Sequence, residues 1–244
     1  NYDVFFENRY FDQGRGRKLV EFKGIKLGIQ ICEDLWDENY PIKVSEDLVK
    51  KGADILINIS GSPFYLKKRF DREKLIKRIS SQYKVPFIYV NTVGVQDGYD
   101  GELIFDGQSM VFDSNEKLIY LGKKFEEELF YINTEELFDK GNKEIKCSNY
   151  NVIEELLRAL ILAIKDYFRR TNFKKTFIGL SGGIDSAVVA VLSAEALGAK
   201  NVTGIYMPSI FSCKDSLDDS KALAKNLGIK LEIIPIDGVY NNFL

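Results

Sequence analysis

The sequence contains no histidine and only three cysteines, and each shortage removes a class of chemistry. Without histidine, a Cys–His dyad within the chain is excluded, so any base serving a cysteine nucleophile must be a carboxylate. Cys32, Cys147 and Cys213 are too few and too scattered for a disulfide framework or a zinc site. A reducing cytoplasm suits such a chain. Also missing are an apolar run of bilayer-spanning length and a signal-peptide pattern. Neither charge sign dominates: 34 basic and 36 acidic side chains leave a net charge of −2. With no basic stripe, neither nucleic acid nor a membrane surface is an expected partner.

What is present is ordinary for a globular protein. Hydrophobic residues make up 45% and charged residues 29% of 244 positions, enough for one large core or two smaller ones. The chain opens at Asn1 rather than methionine and stops at Leu244 within what reads as an element. It is expected to be a piece of a longer protein.

Runs rich in Val, Ile, Tyr and Phe, bounded by Gly, Asp or Asn, predict strands at 18–22, 25–32, 53–60, 85–91, 109–113, 117–122 and 129–133. KGIKL and DSNEK read as hairpin turns. Helices are predicted over 42–51 and 69–83, the second carrying Leu75, Ile76, Ile79 and Tyr83 at helical spacing. Residues 135–150 are polar and aperiodic, and are expected to include a linker. A long amphipathic helix capped by Asn151 follows. Strand 176–180, helix 185–197, strand 202–207, helix 216–227 and strand 230–236 then alternate, the pattern of a doubly wound parallel sheet.

Two stretches carry chemistry. LSGGIDSAVV (180–189) lies between a strand and a helix. Gly182 and Gly183 permit close backbone approach, and the exposed N–H groups with the helix dipole form an anion nest. Ser181 and Ser186 add hydroxyls. Asp185 would repel a bare phosphate, an objection that a bridging Mg²⁺ removes. The stretch is neither a Walker loop nor GxGxxG. The plainer alternative is a tight turn with an acid in the first helical turn. GIQICEDLWD places Cys32 where a strand runs out. Its alternative is a small buried apolar residue.

FIGLSGGIDSAVVA resembles the pyrophosphate-binding loop of the ATP pyrophosphatase family, and GIYMPSIFSCKDSLDDSKALAKNLGI resembles the next strand and helix of NAD synthetases. The resemblance implies ATP at Gly179, Leu180, Ser181, Gly182, Gly183, Ile184, Asp185, Ser186 and Met207, with Mg²⁺ on Asp185. GIQICEDLWD, ILINISGSPF, PFIYVNTVG and FDGQSMVFD resemble the carbon–nitrogen hydrolase (nitrilase) family, most closely its glutamine amidotransferase members. That family works with a Glu–Lys–Cys set. Cys32 matches the nucleophile and Glu7 the supporting carboxylate. Tyr2, Ser62 and Lys68 match positions that contact glutamine. The family's catalytic lysine and first glutamate would lie upstream of Asn1, and the deamido-NAD⁺ pocket of the NAD synthetases beyond Leu244, so the chain by itself is expected to lack parts of both active sites.

Together the two resemblances imply an α/β protein. A partial nitrilase-like α-β-β-α sandwich (1–140) and a linker (141–150) would precede part of a doubly wound, adenine-nucleotide-hydrolase-like domain (151–244). The order resembles that of the glutamine-dependent NAD⁺ synthetase family. It implies ammonia release from glutamine, adenylation of deamido-NAD⁺ by ATP–Mg²⁺, a cytoplasmic setting and a homo-oligomer. Two other readings stay open: a related fusion that amidates a different acid, and a binding or assembly module. A GMP synthetase fits less well, because its glutaminase uses a histidine.

Overall fold

β-Branched and aromatic residues in short alternating runs build the first of two compact units, Asn1–Glu155 and Leu156–Leu244. The computed structural model describes residues 9–12, 14, 16–98, 101–146 and 150–243. In the first unit, β1 (Val20–Phe22), β2 (Ile25–Ile31), β3 (Ile55–Ser60), β4 (Phe87–Asn91), β7 (Met110–Phe112) and β8 (Leu118–Leu121) form one sheet in the order β1-β2-β3-β4-β7-β8. β2, β3 and β4 run parallel, and the flanking pairs are antiparallel. β5 (Val93–Gly98) and β6 (Gly101–Asp106) make a separate hairpin. Its glycines and Asp97 lower strand propensity, and the sequence pattern assigns no strand there.

Helices α1 (Val44–Lys50) and α2 (Lys68–Tyr83) supply the crossovers that parallel strands require. Leu48, Leu56, Leu75, Ile76, Phe87, Met110 and Phe112 close one core between helices and sheet. At about 1.5–3 kcal/mol per buried large apolar side chain, that cluster is the main stabilising contribution. Toward the carboxyl ends of the central strands the same sheet face turns polar. Gln30, Asn58 and Tyr89 are register partners in one row, and Ser60 and Asn91 in the next; all five are buried. On the opposite face Ile55, Val111 and Leu137 form a smaller core. Near the strand ends that face exposes Ile31, Ile59 and Val90.

The turns follow from local chemistry. Lys23 and Gly24 both take positive φ in the β1–β2 hairpin, and Asp113 Oδ1 accepts the N–H groups of Asn115 and Lys117 between β7 and β8. The strand expected at 129–133 is absent. Phe130 of that segment stacks on Tyr120 and Leu129 and Tyr131 are exposed, but the segment pairs with no ladder. Its alternation anchors side chains rather than backbone.

The second unit holds a three-stranded parallel sheet in the order β11-β10-β9, made of β9 (Thr176–Gly179), β10 (Val202–Tyr206) and β11 (Lys230–Ile233). Helices α4 (Ile184–Leu197) and α5 (Lys214–Leu227) connect them, and a short α6 (Asp237–Phe243) follows. Gly198 and Gly228 end α4 and α5 at positive φ. Ile178, Leu180, Ala190, Val202, Ala224 and Ile229 form the core. The division between units falls inside α3 (Val152–Thr171), whose Asn151 cap accepts the N–H groups of Ile153 and Glu154. Leu156, Leu157 and Leu160 on its apolar stripe remain exposed.

Candidate active site

β2 ends at Ile31, and Cys32 opens a one-turn 3-10 segment, Cys32–Leu35, with φ of 42°. A non-glycine residue in the left-handed region costs on the order of 1–3 kcal/mol and persists only where its surroundings enforce it. Two side chains do so. Asp34 Oδ2 accepts the Ile31 N–H at 2.9 Å, and Asn58 Nδ2 donates to the Cys32 carbonyl at 3.3 Å. Asn58 is itself fixed by Ser60, whose hydroxyl donates to its Oδ1. Cys32 Sγ, half-buried, then faces the Gly61 carbonyl at 3.8 Å. The sharp turn lifts the thiol out of the strand and over the polar end of the sheet.

The loop after β3 brings Ser62 to the same place. Ser62 is buried, and neither its hydroxyl nor that of Tyr89 completes a hydrogen bond of full geometry. The two hydroxyls face one another, and the Ser62 interaction is among the influences on the Tyr89 phenol, so both remain available for a stronger contact. Lys68, the first residue of α2, is buried rather than solvated. Its Nζ lies 4.1 Å from the Trp36 ring centroid and 4.5 Å from that of Tyr65. Burial, reinforced by the Arg72 charge, pulls the Lys68 pKa below its ordinary value, while Asp71, Glu33 and Cys32 oppose the shift. Trp36 packs against the core and also floors this ammonium. Glu33 accepts a hydrogen bond from the Tyr40 hydroxyl. Tyr2 and Glu7 lie outside the described residues.

In the second unit, β9 ends at Gly179 and α4 begins at Ile184, so Ser181, Gly182 and Gly183 turn at the carboxyl end of a parallel strand. Gly182 has φ of 79° and packs against Ser216 of α5. The Ser181 and Ser186 hydroxyls lie 3.1 Å apart, and Ser181 Oγ accepts the Gly183 N–H. At the open first turn, the N–H groups of Ile184 and Asp185 have no intrahelical partner. Leu180 is buried, whereas Ile184 and Asp185 are exposed. Beside the turn lies a cavity of about 430 Å³ lined by Gly179, Ser181, Met207, Phe211, Cys213 and Ser216, among others.

Among the described residues, no group of three acidic or cysteine side chains could hold a metal by itself. A lone Asp185 beside an anion nest does fit Mg²⁺, which commonly takes one or two protein carboxylates together with substrate phosphates and water. Asn58, Gly61, Ser216 and Phe211 escaped sequence reasoning. Each reads as an ordinary strand, turn or helix residue until the fold brings it to the site. Cys213, for which sequence names no partner, occupies the N-cap position of α5; its Sγ lies 3.0 Å from Ser216 Oγ, and that hydrogen bond lowers its thiol pKa.

Comparison with known proteins places both halves. A carbon–nitrogen hydrolase family model matches residues 2–135, and an NAD synthase model matches residues 156–244. The glutamine-dependent NAD(+) synthetase of Thermotoga maritima is 38% identical, across 100% of this chain and 47% of its own length. That of Synechocystis is 40% identical, across 96% of this chain and 43% of its own. A structure of the Acinetobacter baumannii glutamine-dependent NAD⁺ synthetase in complex with ADP superposes with a TM-score of 0.88 at 31% identity, over 100% of this chain and 45% of that one. The chain thus spans less than half the length of these relatives. With both family models matched in sequence order, the chain belongs to the carbon–nitrogen hydrolase family through residues 2–135, followed by an NAD synthase segment.

Proposed function

We propose that this chain forms part of a cytoplasmic, homo-oligomeric, glutamine-dependent NAD⁺ synthetase. The supporting observation is the pairing, in one chain, of a left-handed cysteine elbow with an SGGIDS turn that opens a helix beside a cavity. Residues 1–140 serve as part of the glutaminase, 141–150 as the linker and 151–244 as part of the ATP-dependent ligase. The compact division at Glu155 lies close to that boundary.

In the first reaction Cys32 Sγ attacks the side-chain amide carbon of glutamine. The Sγ–C bond forms, the C–N bond breaks and ammonia leaves; water then hydrolyses the thioester to glutamate. Lys68, Ser62 and Tyr2 hold glutamine, and Glu7 supports the catalytic groups. Lys68 meets the substrate carboxylate as a partly desolvated cation, where its charge acts more strongly than in bulk water. In the second reaction a carboxylate oxygen of deamido-NAD⁺ attacks the α-phosphorus of ATP and pyrophosphate departs. Ammonia then adds to the activated carboxyl, AMP leaves, and the amide of NAD⁺ forms. The nest of Ser181, Gly182, Gly183 and Ser186, with the first turn of α4, receives the pyrophosphate, while Leu180, Ile184, Gly179 and Met207 border the nucleotide. Mg²⁺ held by Asp185 would neutralise charge on the phosphates.

The test is covalent labelling with 6-diazo-5-oxo-norleucine, a glutamine-like electrophile, together with exchange of pyrophosphate into ATP that requires deamido-NAD⁺. Where the family's upstream lysine and glutamate and its later ligase segments are also supplied, a single adduct on Cys32 plus dependent exchange is expected. Exchange equally fast without deamido-NAD⁺, or an adduct elsewhere, would overturn the assignment.

A further inference from the structure

Arg72 and Asp106 form an ion pair with essentially no exposure, at 0% and 1%. Arg72 Nη1 donates to both Asp106 oxygens at 2.8 and 3.0 Å. A buried pair of this kind is a poor device for stability alone, since apolar residues of similar volume commonly hold a core as well or better. What an apolar pair cannot provide is direction. The second arm of the guanidinium, Nη2, donates to the Ser62 carbonyl at 2.9 Å. From the other side, Asn91 Oδ1 accepts the Ser62 N–H at 3.0 Å. Asn91 is itself tied to the same hub through Nδ2, which donates to the Gly107 carbonyl at 2.9 Å and reaches Asp106 Oδ1 at 3.4 Å. Both polar groups of the Ser62 backbone therefore end on buried side chains from other elements. The preceding residue, Gly61, presents its carbonyl to Cys32 Sγ.

We infer that Arg72, Asp106 and Asn91 are positioning residues that hold the Gly61–Ser62 peptide against the thiol of Cys32. They set where a substrate amide meets the nucleophile without touching it themselves. The inference deepens the glutaminase reading and rests on it for the identity of the substrate. Lysine cannot replace Arg72, because an ammonium lacks the planar fork that serves Asp106 and Ser62 together.

The experiment separates positioning from stability with the double variant Arg72→Met/Asp106→Leu, which keeps volume and removes direction. Asn91→Ala, which leaves the ion pair in place, is the second variant. Two alkylation rates at Cys32 are read by peptide mass spectrometry, with Cys213 as internal reference. The first probe is iodoacetamide, which needs only an accessible thiol, and the second is 6-diazo-5-oxo-norleucine, which needs an aligned pocket. Circular-dichroism melts report whether each variant folds. Release of the loop is expected to speed iodoacetamide at least about threefold by uncovering the thiol. It is expected to slow the glutamine analogue by about tenfold or more through misalignment. Iodoacetamide rates unchanged in a folded variant would overturn the inference, as would an analogue rate equal to that of the parent. Should the unsubstituted chain take no analogue label, it does not act as a glutaminase without the family's upstream lysine and glutamate, and the iodoacetamide rates still decide whether the hub holds the loop.

Discussion

Replacing Gly182 by alanine tests whether the SGGIDS turn is built as tightly as its geometry states. Gly182 has φ of 79°, and a Cβ there would lie 2.6 Å from Ser216 Cα and 2.8 Å from Ser216 Cβ and its carbonyl oxygen. The left-handed backbone alone costs an alanine roughly 1 kcal/mol. Overpacking adds about 1–3 kcal/mol, and the obstacle is the backbone of α5, which no rotamer change relieves. About 2–4 kcal/mol of local stability is therefore lost, and the face of the cavity formed by Ser181 and Ser216 shifts with it. Gly183→Ala is the matched control. Its φ is −88°, and its new Cβ meets only the Ser181 hydroxyl at 3.2 Å, a flexible group that can turn away. Its cost stays within about 0.5 kcal/mol. Tryptophan fluorescence is blind to this unit, because the single tryptophan is Trp36. Amide hydrogen exchange over peptides covering β9 to β10 is the appropriate assay. With each 1.4 kcal/mol worth a factor of ten, Gly182→Ala should speed exchange about 30- to 1000-fold and Gly183→Ala by less than about threefold. Equal exchange in the two variants would refute the packing argument.

Three further outcomes follow from the first unit. Asn58→Leu removes the donor to the Cys32 carbonyl; it should cost about 1–3 kcal/mol and slow labelling of Cys32 by the glutamine analogue about tenfold or more, so a parental labelling rate would dismiss the clamp. Leu56→Ala, at a fully buried position, should lower stability by about 2–5 kcal/mol, read in urea through Trp36, which packs on that core. Lys68 has a folded pKa below its ordinary 10.5, so in the interval between the two values the unfolded chain binds more protons. Stability from this group should rise as pH climbs through that interval. The rise should vanish in Lys68→Met, and an unchanged pH slope in that variant would contradict the assignment.

Much of the fold was legible because local chemistry and periodicity agree. β2 through β4, both crossover helices and the alternation of β9 to β11 follow from apolar spacing, and their ends follow from residues such as Gly198, Gly228 and Asn151. Failures came where local signals were mixed. The glycine-bearing β5–β6 hairpin lacks strand propensity but gains a full antiparallel ladder. Residues 129–133 possess the alternation and gain none, since a strand needs a partner edge as well as a pattern.

By itself the sequence determined which residues are candidates for chemistry: a cysteine at a strand end, serines and glycines at a helix entry, and no histidine anywhere. Those properties are local, set by residue type and by neighbours within a turn. Only the tertiary structure decided that Asn58, two strands' crossover away, holds the carbonyl of Cys32. It also decided that Lys68, an ordinary charged residue at a helix start, lies buried over two aromatic rings, and that Arg72 reaches both Asp106 and Ser62. The contacts of Asn58 with Cys32, Lys68 with Trp36 and Arg72 with Asp106 join residues dozens of positions apart through sheet register and helix packing, which no window along the chain encodes.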